Sequence, residues 1–235
     1  NDSNVTIERC YVNAPIVFGN GANIDCDHDT VRQCVLTSSI TCQPSGGTFS
    51  AMGEMVYNNI FDAGIDFTTN LSKTSGYFIN NDFLYPANFS LQNGVFQNNI
   101  FYSPTFAAYG TSNYFANNIV STTSAASDID TGNSNQFSIS PAAVYVNTNA
   151  YPYNSFGTPP AGLSHDGQFQ LLSSSPAIGA GFLNSVTVDC GAFGGAAPYV
   201  LSGMPDIPSI YSLTVPKQLS NGTINMSISL SAASH

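Results

Sequence analysis

Asp62, Asp66 and Asp82 are the residues of this sequence whose type and spacing could do chemistry. A pair of carboxylates can cleave a glycosidic bond, one as proton donor and the other as nucleophile or base. Asp66 stands between Ile65 and Phe67 in an alternating stretch, which would turn it outward. Asp82 interrupts an otherwise apolar column, either as an exposed carboxylate or as a hydrogen-bonded buried one. A second acidic group, Asp25-Cys26-Asp27-His28-Asp29, alternates carboxylates with a thiol and an imidazole. Asp25, Asp27 and Asp29 could hold calcium, and the His–Cys pair zinc, but the spacing matches no standard ligand set. The group reads as a solvated acidic loop, with calcium as the alternative and the one cofactor expected if any is. Tyr102, Tyr109, Tyr151 and Tyr153 could stack on sugars in a chain without Trp. No Gly-x-Ser-x-Gly, phosphate loop or His-Glu-x-x-His is present. No residue is therefore assigned a catalytic role; the three aspartates are the candidates.

The elements that would position these residues are repetitive. An Asn-Asn pair recurs at Asn58-Asn59, Asn80-Asn81, Asn98-Asn99 and Asn117-Asn118, with spacings of 22, 18 and 19 residues. A period near 20 residues marks a solenoid, whose coils bury their apolar faces only against one another. Anchored on the second Asn, with Cys10 and Cys34 as the two upstream members, the alignment gives three columns. Three positions before the anchor stand Ile7, Val31, Val56, Phe78, Phe96 and Phe115. One position after it stand Tyr11, Val35, Ile60, Asp82, Ile100 and Ile119. Two positions after it stand Val12, Leu36, Phe61, Phe83, Phe101 and Val120. A further strand follows in each coil, at Ile16-Val17-Phe18, Ile40-Thr41-Cys42, Ile65-Asp66-Phe67 and Phe89-Ser90-Leu91. These stretches alternate with period two, and Gly, Asn, Ser, Thr and Pro lie between them. Coils stacked about 4.8 Å apart would set equivalent residues above one another. Asn59, Asn81, Asn99 and Asn118 would then form a buried amide ladder, a structural role rather than a catalytic one.

With these motifs the chain resembles right-handed parallel β-helix proteins of the pectate-lyase-like fold, most of all secreted bacterial members. The repeated Asn-Asn-Ile-Phe coil carries the likeness. So does the pair Ser175-Pro176-Ala177-Ile178-Gly179-Ala180-Gly181 and Asp189-Cys190-Gly191-Ala192-Phe193-Gly194, similar to motifs that close such bacterial helices. The resemblance covers residues 3–200 and implies an all-β, right-handed parallel β-helix over 1–197, with regular coils over 3–125 and irregular coils and closing motifs over 126–197. It departs at one closing position, where Cys190 replaces an apolar residue. Lyases of this fold abstract a proton beside a carboxylate and hold the charge with Arg, Lys and often calcium. The four basic residues here, Arg9, Arg32, Lys73 and Lys217, form no cluster facing the acidic ones.

Composition bounds the partners. The net charge of −10 leaves no basic surface for nucleic acid, and it disfavours an anionic polysaccharide or membrane surface. No run of about 18 apolar residues could span a bilayer. Cys10 and Cys34 share a column in adjacent coils, with Cα atoms expected about 5 Å apart. They read as a disulfide or as two small apolar fillers. Cys26 and Cys42 are a second candidate pair, and Cys190 makes the count odd. A secreted, oxidising setting fits this usage. The chain begins inside a coil, at Asn4-Val5-Thr6-Ile7, and reads as a processed product or a fragment.

Residues 198–235 read as a Pro-punctuated linker and a β-strand tail. Strand-like residues 209–215 precede an Asn221-Gly222 turn signal and an alternating stretch over 223–230, with Ile224, Met226, Ile228 and Leu230 on one face. The tail would form a hairpin on its own chain or add a strand to another molecule. The expected function is a secreted structural or adhesive subunit, self-assembling head to tail through Val5 and Ile7 of the first coil and the apolar face of the tail. The alternative is a carbohydrate-active enzyme or glycan-binding module on the same scaffold.

Overall fold

A computed structural model of the chain describes residues 4–20, 28–43, 51–63, 65–67, 74–85, 87–90, 93–102, 106–109, 112–121, 133–147, 163–201, 209–214 and 229–233. The chain is all-β, a parallel β-solenoid followed by an antiparallel hairpin. Each of the first five coils gives one strand to each of three parallel sheets, and the sixth gives one to the first two among the described residues. The first sheet stacks Thr6–Glu8, Thr30–Arg32, Ala51–Tyr57, Thr74–Ile79, Val95–Gln97 and Tyr114–Ala116. The second stacks two-residue strands from Tyr11–Val12 to Ile119–Val120, and the third runs from Ile16–Asn20 to Phe106–Tyr109. Ile7, Val31, Val56, Phe78, Phe96 and Phe115 are register partners, rung above rung. Ala87 pairs with Ile65 and Phe89 with Phe67, so the fourth strand of the third sheet is Ala87–Ser90. That lies two residues before the Phe89-Ser90-Leu91 expected from alternation.

The first Asn of each pair makes the corner. Asn58, Asn80, Asn98 and Asn117 all adopt φ between 55° and 57°. This left-handed conformation is unfavourable for most side chains and tolerated by Asn. Arg9 and Gln33 hold the same conformation in the first two rungs and Ser134 in the last. The second Asn turns inward and makes the ladder. Asn81 Nδ2 donates to Val56 O at 2.8 Å and to Asn99 Oδ1 at 3.1 Å. Its own Oδ1 accepts from Asn59 N and Asn59 Nδ2, both at 3.0 Å. Asn59, Asn99 and Asn118 repeat the pattern. Cys34 continues it toward the first rung: its N donates to Asn59 Oδ1, and its sulfur accepts from Cys10 N at 3.5 Å.

The ladder also runs one rung past the repeat that the sequence displays. Asn118 N and Nδ2 both donate to Asn135 Oδ1 at 2.9 Å, Gln136 bridges Ile119, and Phe137 packs on the core. Between the corners, Phe rings stack in two files. Phe61–Phe83–Phe101 have centroids 5.0 and 4.8 Å apart, and Phe78–Phe96–Phe115 have centroids 5.0 and 4.5 Å apart. These distances follow the rung spacing. Each stacked pair adds about 0.5–1.5 kcal/mol beyond simple burial.

A second apolar layer lies outside the solenoid core. Val35, Ile60, Ile100 and Ile119 alternate with the core-facing Leu36, Phe61, Phe101 and Val120, so they point the other way. They are buried all the same. Residues 175–199 form a strap across the corners beside this row. Phe182 O takes Gln97 Nε2 at 2.5 Å. Asp189 O takes Asn80 Nδ2 at 2.8 Å, Gly194 O takes Asn58 Nδ2 at 2.7 Å, and Pro198 O takes Gln33 Nε2 at 2.8 Å. The strap therefore runs back from the fifth rung to the second.

Residues Val200–His235 form a separate compact unit from Asn1–Tyr199. Within it, Ser209–Thr214 pairs antiparallel with Ser229–Ala233, placing Leu213 opposite Leu230. The described strand Ser229–Ala233 overlaps the end of the expected 223–230, and Ile224, Met226 and Ile228 lie outside the described residues. No helix among the described residues is long and apolar enough to cross a membrane.

Candidate functional site

Asp82 stands in the outward row of the second sheet, register-paired with Ile60 and Ile100, and is fully buried. Its Oδ1 accepts from Ala192 N at 3.2 Å. Gly191 sits over it with φ +86°, so close that a Cβ there would strike Asp82 Oδ1 and, at 2.6 Å, Ile100 Cδ1. The Tyr145 hydroxyl lies beside the carboxyl, though neither Asp82 Oδ2 nor Tyr145 Oη completes a well-formed hydrogen bond. Burial pushes this carboxyl up to about 8, against the smaller opposing effect of the Ala192 N–H and Tyr145. Burial likewise holds Tyr145 well above its ordinary value. A carboxylic acid in this setting is neutral at neutral pH.

Asp82 therefore has no accessible surface beneath the strap, unlike the half-buried Asp62. Asp62 is half-buried, and its N donates to Leu36 O at 2.8 Å as part of the rung pairing. Asp66 belongs to the third sheet, where it aligns with Thr41 and Asn88. Asp62 thus follows a strand of the second sheet, whereas Asp66 belongs to the third.

The acidic loop contributes one described carboxylate, Asp29, which is buried. Its Oδ1 accepts from Val5 N at 2.8 Å, and its own N donates to Glu54 Oε2 at 3.0 Å. Asp29 and Glu54 thereby form a second polar ladder at the entry to the first sheet, continued by the Ser75 Oγ that accepts from Gly53 N. Glu54 carried no sequence signal beyond its place in an apolar strand. Asp25 and Asp27 lie outside the described residues, among which no three His, Cys, Asp or Glu side chains are grouped to hold a metal.

Cys10, Cys34 and Cys190 are free thiols. The Cys10 thiol donates to Glu8 O at 3.1 Å and that of Cys34 to Arg32 O at 3.1 Å. Burial pushes Cys34 up to about 11 and raises Cys190 further. Cys190 lies in the strap, where its thiol donates to Asn117 O at 3.1 Å. The sulfur thus satisfies a corner carbonyl as well as filling space. The side chains of Cys26 and Cys42 are outside the described residues. Arg32 is engaged by Glu8 Oε2 at 2.7 Å and by the Tyr57 hydroxyl at 2.8 Å. Arg9 donates to Gln33 Oε1 at 3.1 Å. Lys73 and Lys217 lie outside the described residues.

The sugar-stacking candidates fare unevenly. Tyr102 is buried against Tyr145, and Tyr109 is placed only by its backbone, opposite Ser90. Tyr151 and Tyr153 lie outside the described residues. The exposed tyrosines are elsewhere. Tyr77 and Tyr114 are 42% and 49% exposed on the first sheet, in one row with Val95 between them. Tyr11, on the first rung, is 65% exposed. Alternation within the first-sheet strands could have marked Tyr77 and Tyr114, since each lies one residue before a core Phe. No family model, curated protein or solved structure matches the chain.

Proposed function

We propose that this chain is a structural, adhesive β-helix element of a secreted bacterial protein, akin to the pectate-lyase-like group, and that a second copy extends it at the first rung. The observation that carries the reading is the state of that rung. Among the described residues Thr6–Glu8, Tyr11–Val12 and Ile16–Asn20 are the edge strands of the three sheets, with Val5, Tyr11 and Val17 exposed and Ile7, Val12 and Ile16 only partly buried. Such an edge is a template for a further parallel rung. Val5 O accepts from Thr30 N and Arg9 N donates to Arg32 O, so alternation turns the backbone of Thr6 away from the second rung. Heterologous contacts repeated at such an edge build a filament rather than a closed ring. In an oxidising setting, joining Cys10 to Cys34 would staple the edge rung to its neighbour.

Electron microscopy and light scattering of the purified protein over a concentration series test the reading. Rods that lengthen with concentration are expected, and Thr6→Pro should abolish them while leaving the circular dichroism unchanged. Monodisperse monomers at the highest concentration would sink the assembly proposal.

A second reading rests on the Tyr77–Val95–Tyr114 row. The two rings stand two rungs apart, roughly 10 Å at ordinary strand spacing. That flat exposed row suits a neutral glycan chain better than the aspartates do. Isothermal titration with neutral polysaccharides, repeated on Tyr77→Ala/Tyr114→Ala, separates it from the structural reading.

A further inference from the structure

We propose that residues 175–199 are a proton-dependent clasp, seated on the second sheet while the Asp82 carboxyl carries a proton and released when it ionises. The argument starts from the row in which Asp82 stands. Val35, Ile60, Ile100 and Ile119 are apolar and buried, and Asp82 occupies the same row with no accessible surface. The clasp lies directly upon it, through Gly191 and the Ala192 N–H.

The titratable groups around the carboxyl offer it no counter-charge. From the clasp come Asp189, whose Oδ1 accepts from Gly179 N at 2.8 Å, and the buried thiol of Cys190. From the segment before the clasp comes Tyr145, and from the next coil Tyr102, whose ring lies 5.7 Å from that of Tyr145. Each of these groups is neutral or anionic at every pH. An ionised Asp82 would thus be a buried charge facing only neutral or negative neighbours, a state that proteins avoid by moving the charge into water. Lifting the clasp does that. The sheets need not open with it, because their own ladder of Asn59, Asn81, Asn99 and Asn118 holds them.

The sign follows from linkage. The ordinary carboxyl value of 3.8 applies to the open clasp, and burial raises it to about 8 in the closed one. The proton therefore favours the closed form. That advantage is complete below about 4, shrinks tenfold per pH unit above it, and is gone above about 8. Opening also uncovers the side-chain amides of Asn58, Asn80 and Asn98, which in the closed form bind the clasp backbone.

Cys190 is a built-in reporter, fully buried in the closed clasp. The test is its alkylation by a small thiol reagent, located by mass spectrometry, in the wild-type chain and in Asp82→Asn from pH 6 to 9. Taking the ratio of the two rates at each pH cancels the thiol's own ionisation. The ratio should rise about tenfold per pH unit to about pH 8 and level off above it. A ratio constant over the range overturns the proposal. Should Asp82→Asn fail to fold, hydrogen exchange at Gly191 and Ala192 of the wild type decides instead. Protection corrected for intrinsic exchange should fall with pH; protection independent of pH overturns the clasp.

Discussion

Two rows of asparagine run side by side through this molecule and do opposite work. Asn59, Asn81, Asn99 and Asn118 turn inward, and each amide bonds the rungs on both sides of it. Asn58, Asn80 and Asn98 turn outward from the adjacent corner position, and their amides hold the strap. One residue of displacement along the chain, from the left-handed corner position to the next, converts a docking amide into a core-building amide. Residue type alone therefore does not assign a role in this fold; the corner conformation does.

Asn81→Ala should break the inner row with the largest effect. It leaves Val56 O, Asn99 Oδ1, Asn59 N and Asn59 Nδ2 without their bonds to that side chain in a buried setting. Several unmet polar groups at about 1–3 kcal/mol each put the loss near the whole stability of a small domain. Denaturant titration should show the sheets unfolding at a sharply lower midpoint. Gly191→Ala comes next and acts on the outer side. The new Cβ meets Asp82 and Ile100 in a left-handed backbone, for about 2–4 kcal/mol. Trypsin has few sites here, so chymotryptic nicking after Phe182 and Phe193 is the readout, with the sheet signal in circular dichroism retained. Asn80→Ala should have the smallest effect of the three. It removes bonds to Asp189 O and Gly191 O, about 1–2 kcal/mol, and should speed nicking of the strap without moving the midpoint of the sheets. If Asn80→Ala and Asn81→Ala prove equally damaging, the contrast between the rows fails.

The solenoid was legible from the sequence because its partners recur at a near-constant spacing. The column of Ile7, Val31, Val56, Phe78, Phe96 and Phe115 is the register of the first sheet. The seventh rung was missed because Ser134 replaces the first Asn and Gln136 the usual Ile, although Asn135 and Phe137 keep the pattern. The strap was legible only as a resemblance in its closing motif. Its contacts join residues 73 to 165 positions apart, from Cys190 with Asn117 to Gln33 with Pro198. They use backbone carbonyls, which every residue possesses. Asp82 is the odd residue of its column in the sequence. Its meaning depends on Gly191 and Ala192, more than a hundred residues away, which no local reading of residues 78–83 could supply.

A stack of rungs that touch only their neighbours melts as a zipper does, fraying from either end with little cooperativity between distant coils. A single peptide sewn across the corners from Gln97 back to Gln33 changes that statistical behaviour. Loss of any one rung beneath it also frees an anchor of the thread, so rungs two to five share a common fate. The strap thus makes the rungs it spans behave as a single cooperative block, with fraying left to the terminal rungs on either side of its anchors.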